Sequence, residues 1–218
     1  IGKYGTVGYV VEGFLHRTDG FKTIDAAPGI NHRDDTGFTR FEPMMKIFWE
    51  PDWNTYHRIE LKYGHTDLKA DETYLGLTTT DFRNDPNRRY AASRFDNIET
   101  ENHRASIRHT FEPTANLRIA TTGYLQYFKR DWEKLHQLRG PNVALSTALL
   151  DTTAGGGLAI LQGAAAGTFR VRNNARDYKI YGAQTAATAT FDLGGTEHKL
   201  ETGVRYHFDE VDRFQRDT

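Results

Sequence analysis

Lys199-Leu200-Glu201-Thr202-Gly203-Val204-Arg205-Tyr206-His207-Phe208 changes character at every second residue. In an extended chain Leu200, Val204, Tyr206 and Phe208 share one face, and Lys199, Glu201, Arg205 and His207 share the other. A period of two predicts a strand with unlike surroundings on its two sides. The pattern returns from Leu117 onward, where Leu117, Ile119, Leu125 and Tyr127 alternate with Arg118, Thr122, Gln126 and Arg130. That run is longer than a soluble strand usually is. Further strands are expected over residues 6–17, 40–50, 57–66, 104–112 and 178–191, about seven in all.

The connections fall into two classes. Glu50-Pro51-Asp52-Trp53-Asn54-Thr55, Glu112-Pro113-Thr114-Ala115-Asn116 and Asp192-Leu193-Gly194-Gly195-Thr196 are brief and rich in turn residues, as tight hairpins require. Residues 18–37, 67–99 and 131–174 are long, irregular and mixed in charge, which a compact soluble domain rarely accommodates. Short and long connections alternate strictly. Every short turn then lies at one end of the sheet and every long loop at the other, the arrangement of an outer-membrane barrel. Strand runs of about ten residues also suit membrane-spanning length. Trp49, Trp53, Tyr56, Phe111 and Phe191 lie near the short-turn ends, and Tyr127, Phe128 and Trp132 near a long-loop end, as two aromatic girdles would.

Composition narrows the classes further. The 218 residues are 38% hydrophobic and 26% charged, and no apolar run approaches the length of a membrane helix. Aromatics at 12% argue against a disordered chain. A formal net charge of −1 gives no electrostatic case for nucleic acid. The absence of cysteine excludes disulfides and thiolate metal sites. The Gly/Ala-rich stretch 143–169 is expected to be a loop that packs on itself or on neighbouring loops, with a short helix around 142–150.

Catalytic signatures are missing. No G-x-S-x-G, H-E-x-x-H, phosphate-binding or dinucleotide-binding glycine motif occurs, and the three serines have no placeable His and acid partners. No enzyme is expected. His103 and His109 share a face of one strand, but a pair without a carboxylate reads as polar lining rather than a metal site.

Asp71-Glu72-Thr73-Tyr74-Leu75-Gly76-Leu77-Thr78, followed by Asp81-Phe82-Arg83-Asn84-Asp85-Pro86-Asn87-Arg88-Arg89-Tyr90, is the most specific pattern. Here the chain resembles the TonB-dependent outer-membrane receptors, particularly the ferric-citrate (ferric dicitrate) receptor-like branch of the siderophore receptors. The resemblance extends over nearly the whole chain, through Gly13-Phe14-Leu15-His16-Arg17 with Asp19-Gly20-Phe21, Arg108-His109-Thr110-Phe111, and Asn173-Asn174-Ala175-Arg176-Asp177-Tyr178. It implies an all-β fold: an antiparallel transmembrane β-barrel of 22 strands filled by a plug, of which residues 1–218 supply a partial wall of about seven strands. The plug domain and TonB box are expected outside this chain, which opens at Ile1 without a methionine.

The resemblance further implies a place in the outer membrane of a Gram-negative bacterium, outer-membrane lipid as surroundings, TonB as partner, and a ferric chelate as cargo. No resident cofactor or metal site is expected. Lys199, Glu201, Arg205, His207, Arg118 and Gln126 would face the lumen, and Leu200, Val204, Tyr206, Ile119 and Leu125 the lipid. Loop arginines suit a carboxylate chelate because the planar guanidinium pairs bidentately with it. Arg83, Arg88, Arg89, Arg139 and Arg176 are the candidate ligand-binding residues, with Tyr90 as neighbour. A competing role is structural, since Asp81, Asp85 and Asp96 lie near these arginines in sequence and could pair with them. The competing function is a small structural or adhesive outer-membrane barrel without active transport, for which eight strands would suffice.

Overall fold

The computed structural model describes residues 1–31, 34–71, 73–140 and 142–218. Its strands in chain order are β1 (Gly2–Tyr4), β2 (Val7–Thr18), β3 (Thr23–Ile24), β4 (Phe38–Trp49), β5 (Tyr56–Ala70), β6 (Arg88–Arg89), β7 (Asn97–Thr114), β8 (Leu117–Arg139), β9 (Val143–Ala144), β10 (Thr168–Leu193) and β11 (Thr196–Asp217). Short helices α1 (Thr79–Asn84), α2 (Leu145–Leu150) and α3 (Gly157–Leu161), with a 3-10 turn at Ala91–Phe95, lie between them. The main sheet is an antiparallel meander in the order β1-β2-β4-β5-β7-β8-β10-β11, with β9 added to β8. The seven long strands are those the alternation predicts. Among the described residues the first and last strands do not pair, so the sheet stays open.

Strand ends depart from expectation at the long-loop side. Residues 131–139 and 168–174 read as loop, yet most of them pair as continuations of β8 and β10, across one register shift between Arg170 and Val171, and the two strands reach 23 and 26 residues. Period two fades there because Asp131, Glu133 and Lys134 put charge on both faces. The short connections are as tight as expected. Leu193 pairs directly with Thr196, and Gly194 and Gly195 both adopt positive φ (63° and 81°), the geometry that matches the twist of a two-residue hairpin. Pro113 coincides with a register shift in β7, and Pro43 with a gap in the β4–β5 ladder, because proline donates no backbone hydrogen bond.

Register assigns every long strand two unlike faces. One face carries Val11, Ile47, Leu61, Ile107, Ile119, Leu125, Ala187, Leu200 and Val204, with Trp49, Phe111 and Phe191 toward the short turns and Tyr63, Tyr127, Tyr181 and Phe208 toward the long loops. From Leu117 to Tyr127 this apolar band covers about ten residues. At ~3.3 Å per residue and a tilt near 45°, it stands roughly 24 Å tall. Beyond it the same face turns charged, with Asp67, Lys69, Glu99, Lys129, Asp177, Lys179, Glu210 and Asp212. The opposite face is polar. Phe128 and Trp132 lie on that polar face and not in a girdle, since both are in phase with Gln126 and Arg130. Tyr56 also faces the polar side and donates to Glu50.

The conventional hydrophobic core sits among the long loops. Leu75, Tyr90, Ala92, Leu135, Leu138, Ala148 and Leu161 form one buried cluster, packed against Leu77, Phe95, Val143, Leu145, Leu149, Leu158, Ile160 and Phe169. The Gly/Ala-rich stretch supplies α2 and α3 to it, and the helix expected around 142–150 is α2. Asp151 orders the glycine triplet by accepting from Thr153 Oγ1 (2.6 Å) and the Gly157 amide (2.8 Å).

Candidate functional site

The candidate arginines fall into two groups in the structure. In the first, β3 and β6 pair in parallel and bring the loop 19–37 against the loop 71–96. Arg88 contacts Asp25 at 2.9 Å and Asp81 at 3.1 Å. Fully buried Tyr90 donates to Asp81 Oδ2 at 2.6 Å and accepts from the Thr78 amide at 3.0 Å. Arg89 donates to the Thr73 hydroxyl and the Pro86 carbonyl. These three predicted site residues are occupied in holding the loops together. Asp81 is one of the weighed partners. Asp25, which the sequence reading did not name, lies 63 residues from Arg88 in the chain. Asp96 serves backbone groups instead, accepting from the Tyr74 and Leu135 amides.

The hydrogen bond from Tyr90 holds the Asp81 carboxyl below the usual carboxylate range. Burial pushes the Asp25 carboxyl up, and Arg88 offsets this only in part. Burial, reinforced by the ionised Asp81, pushes the Tyr90 phenol above its usual value of 10.0. A raised folded-state pKa contributes stability that is complete below the unfolded value and lost as pH rises through the folded one. The loop cluster is therefore expected to loosen above about pH 10. Limited proteolysis of the full-length protein across that range would show it, and Tyr90→Phe should remove the step.

Arg83 lies on α1 and Arg139 at the end of β8, both exposed and without a side-chain hydrogen bond among the described residues. Arg176 is different. It sits on the polar face of β10, and register places it directly beside Arg130 of β8 and Arg213 of β11. Like charges placed opposite one another across strands are destabilising. Nothing nearby neutralises these: among the described residues none of the three makes an ion pair, and the buried Nε atoms of Arg130 and Arg176 have no hydrogen-bond partner. Arg176 donates only to the Tyr178 hydroxyl, at 3.3 Å. At ~4.8 Å between strands, the row spans roughly 10 Å.

Aromatic groups border the row. Lys134 Nζ lies 4.2 Å from the Tyr74 ring and 4.3 Å from the Trp132 ring, while Tyr74 and Trp132 meet edge to face. Phe128 and Tyr178 pack at 5.5 Å on the short-turn side. Nearer the short turns the polar face carries an ion-pair network on β4 and β5. Glu50 is held by Lys3 (2.8 Å) and Arg58 (2.6 Å), and Glu60 by Arg58 (3.1 Å) and Lys46 (3.5 Å). Lys62, Arg104, Arg108, Lys199 and Arg205 on this face also make no ion pair among the described residues, but only the row sets three guanidinium groups side by side, just below the loops, where an anion would restore the balance.

No protein-family model matches the sequence, and comparison with curated proteins finds no relative. Among solved structures, the fold is similar to that of a siderophore receptor. That structure is the crystal structure of the siderophore receptor PiuA from Acinetobacter baumannii, with a TM-score of 0.58 and 17% sequence identity. The match covers 95% of this chain and 27% of the receptor, so the chain spans about a quarter of its neighbour's length. At that identity the likeness shows the fold alone: an antiparallel sheet of the receptor-barrel kind.

Proposed function

We propose that this chain is a wall segment of an outer-membrane receptor that imports an anionic ferric chelate, such as a ferric siderophore or ferric citrate. Its apolar face meets lipid and its polar face lines the lumen. The plug and TonB box that such a receptor uses to draw energy from TonB belong to the rest of the protein, in the outer membrane of a Gram-negative bacterium. The observation that carries this reading is the row Arg130-Arg176-Arg213, aligned and uncompensated below the loops. A carboxylate-bearing chelate supplies what the row lacks, because the guanidinium fork matches a carboxylate bidentately. Trp132, Lys134 and Tyr74 stand where they could border the bound chelate.

Charge-assisted hydrogen bonds contribute about 1.5–3 kcal/mol each, so each arginine lost should weaken binding by about 10- to 100-fold. A strain lacking the full-length gene, supplied with single iron chelates, is expected to regain growth on at least one anionic chelate from the wild-type gene. It should not regain it from Arg130→Gln/Arg176→Gln/Arg213→Gln. Unchanged growth of the deletion strain on every chelate would remove the iron-uptake reading. Full rescue by the triple variant would remove the arginine row from it.

A further inference from the structure

A carboxylate and a second imidazole lie beside His103. Glu101, two residues earlier on β7, shares its face, and the β5–β7 register places His65 directly opposite His103. The two imidazole centroids are 4.6 Å apart, and His103 Nε2 lies 2.9 Å from Glu101 Oε1. One ligand atom from each of the three residues falls within 4.8 Å of the others. His65 Nδ1 is buried without a hydrogen-bond partner among the described residues. Tyr63 lies 2.7 Å from His103 Nδ1 and fixes that ring from behind.

We propose that His65, Glu101 and His103 bind a divalent transition ion of the zinc class. Two imidazoles and a carboxylate are a three-ligand zinc set, which leaves a fourth position open to water or another oxygen ligand. The contact between His103 Nε2 and Glu101 is replaced by an ion between them, with Tyr63 accepting from Nδ1–H. Such an outer hydrogen bond orients the ring and raises its basicity. Asp67 and Lys129 flank Glu101 on the neighbouring strands. With neutral histidines, these three charges sum to one negative, which favours a cation. The site lies where the apolar band gives way to charge, on the opposite face from the arginine row, so it is separate from the proposed cargo site.

Zn²⁺ alone, titrated calorimetrically into the full-length protein in detergent micelles at about pH 7.5, tests this. One equivalent is expected to bind in the micromolar range, roughly the scale of a three-ligand exposed site. His65→Ala/His103→Ala should weaken it at least about tenfold, as should Glu101→Gln, while His109→Ala should not. X-ray absorption on the wild-type complex should show two imidazole nitrogens at about 2.0–2.1 Å. Equal Zn²⁺ binding by wild type and the double variant, no binding by wild type, or a coordination shell of oxygen alone would overturn the site. Heat-modifiable gel mobility confirms that each variant is folded. Should the double variant fail that check, Glu101→Gln and the absorption spectrum decide the matter.

Discussion

Arginine in place of Val204 is expected to lower folding stability in a bilayer by about 2–4 kcal/mol, whereas arginine in place of Glu201 should leave it nearly unchanged. The contrast rests on register. Val204 pairs with Thr185, and the row continues to Thr121, all on the apolar face. It lies midway along β11 between Leu200 and Phe208, so it falls near the centre of the band, where the cost of a cation is greatest. Glu201 pairs with Thr188 on the polar face, where a long cation reaches water. Denaturant unfolding of the two full-length variants in lipid vesicles measures both. Equal tolerance at the two positions would reverse or remove the assignment of faces.

Tyr90→Ala is expected to destabilise the loop cluster by about 3–5 kcal/mol, the range for truncating a fully buried aromatic. The ring lies at 0% exposure in the one compact core of the described residues, and its hydroxyl ties Asp81 and Thr78 to that core. Tyr90→Phe should cost about 1–2 kcal/mol, because Asp81 loses a donor while Arg88 remains. Both losses should be local. The strand ladders share side chains with this core only at Val143 of β9 and at the long-loop ends of β8 and β10, so backbone protection in the rest of the sheet is expected to persist. Hydrogen exchange on the full-length protein should show faster exchange in 71–96 and 142–167 alone. Unchanged protection there in Tyr90→Ala would show that the loops do not depend on this core.

Legibility in the sequence followed the contrast between environments. Lys199 to Phe208 could be read because one side of that strand is apolar and the other is not. Residues 131–134 could not, since both sides carry charge and only pairing with β7 and β10 reveals a strand. The loop arginines show the same limit from another direction. Arg88 has one partner nearby in sequence, Asp81, and one from a distant loop, Asp25, whereas Arg176, next to Asp177 in sequence, makes no ion pair among the described residues. Arg130 and Arg213 were missed, although part of the signal was present: Arg176 and Arg213 are equidistant from the Leu193–Thr196 pair that closes a two-residue turn. Counting outward from Gly194-Gly195 aligns them. The His65–Glu101–His103 cluster was hidden for the same reason, being a product of register between strands and of no single motif.

The tight turn at Gly194-Gly195 also fixes what this wall can do mechanically. Sliding β11 past β10 by one residue would turn Glu201, Arg205 and His207 toward the apolar side and Leu200, Val204 and Tyr206 away from it. A two-residue connection has no slack to permit that step. The β10–β11 pair therefore keeps a single register, and movement in this chain is expected in the loops above it, around Tyr90.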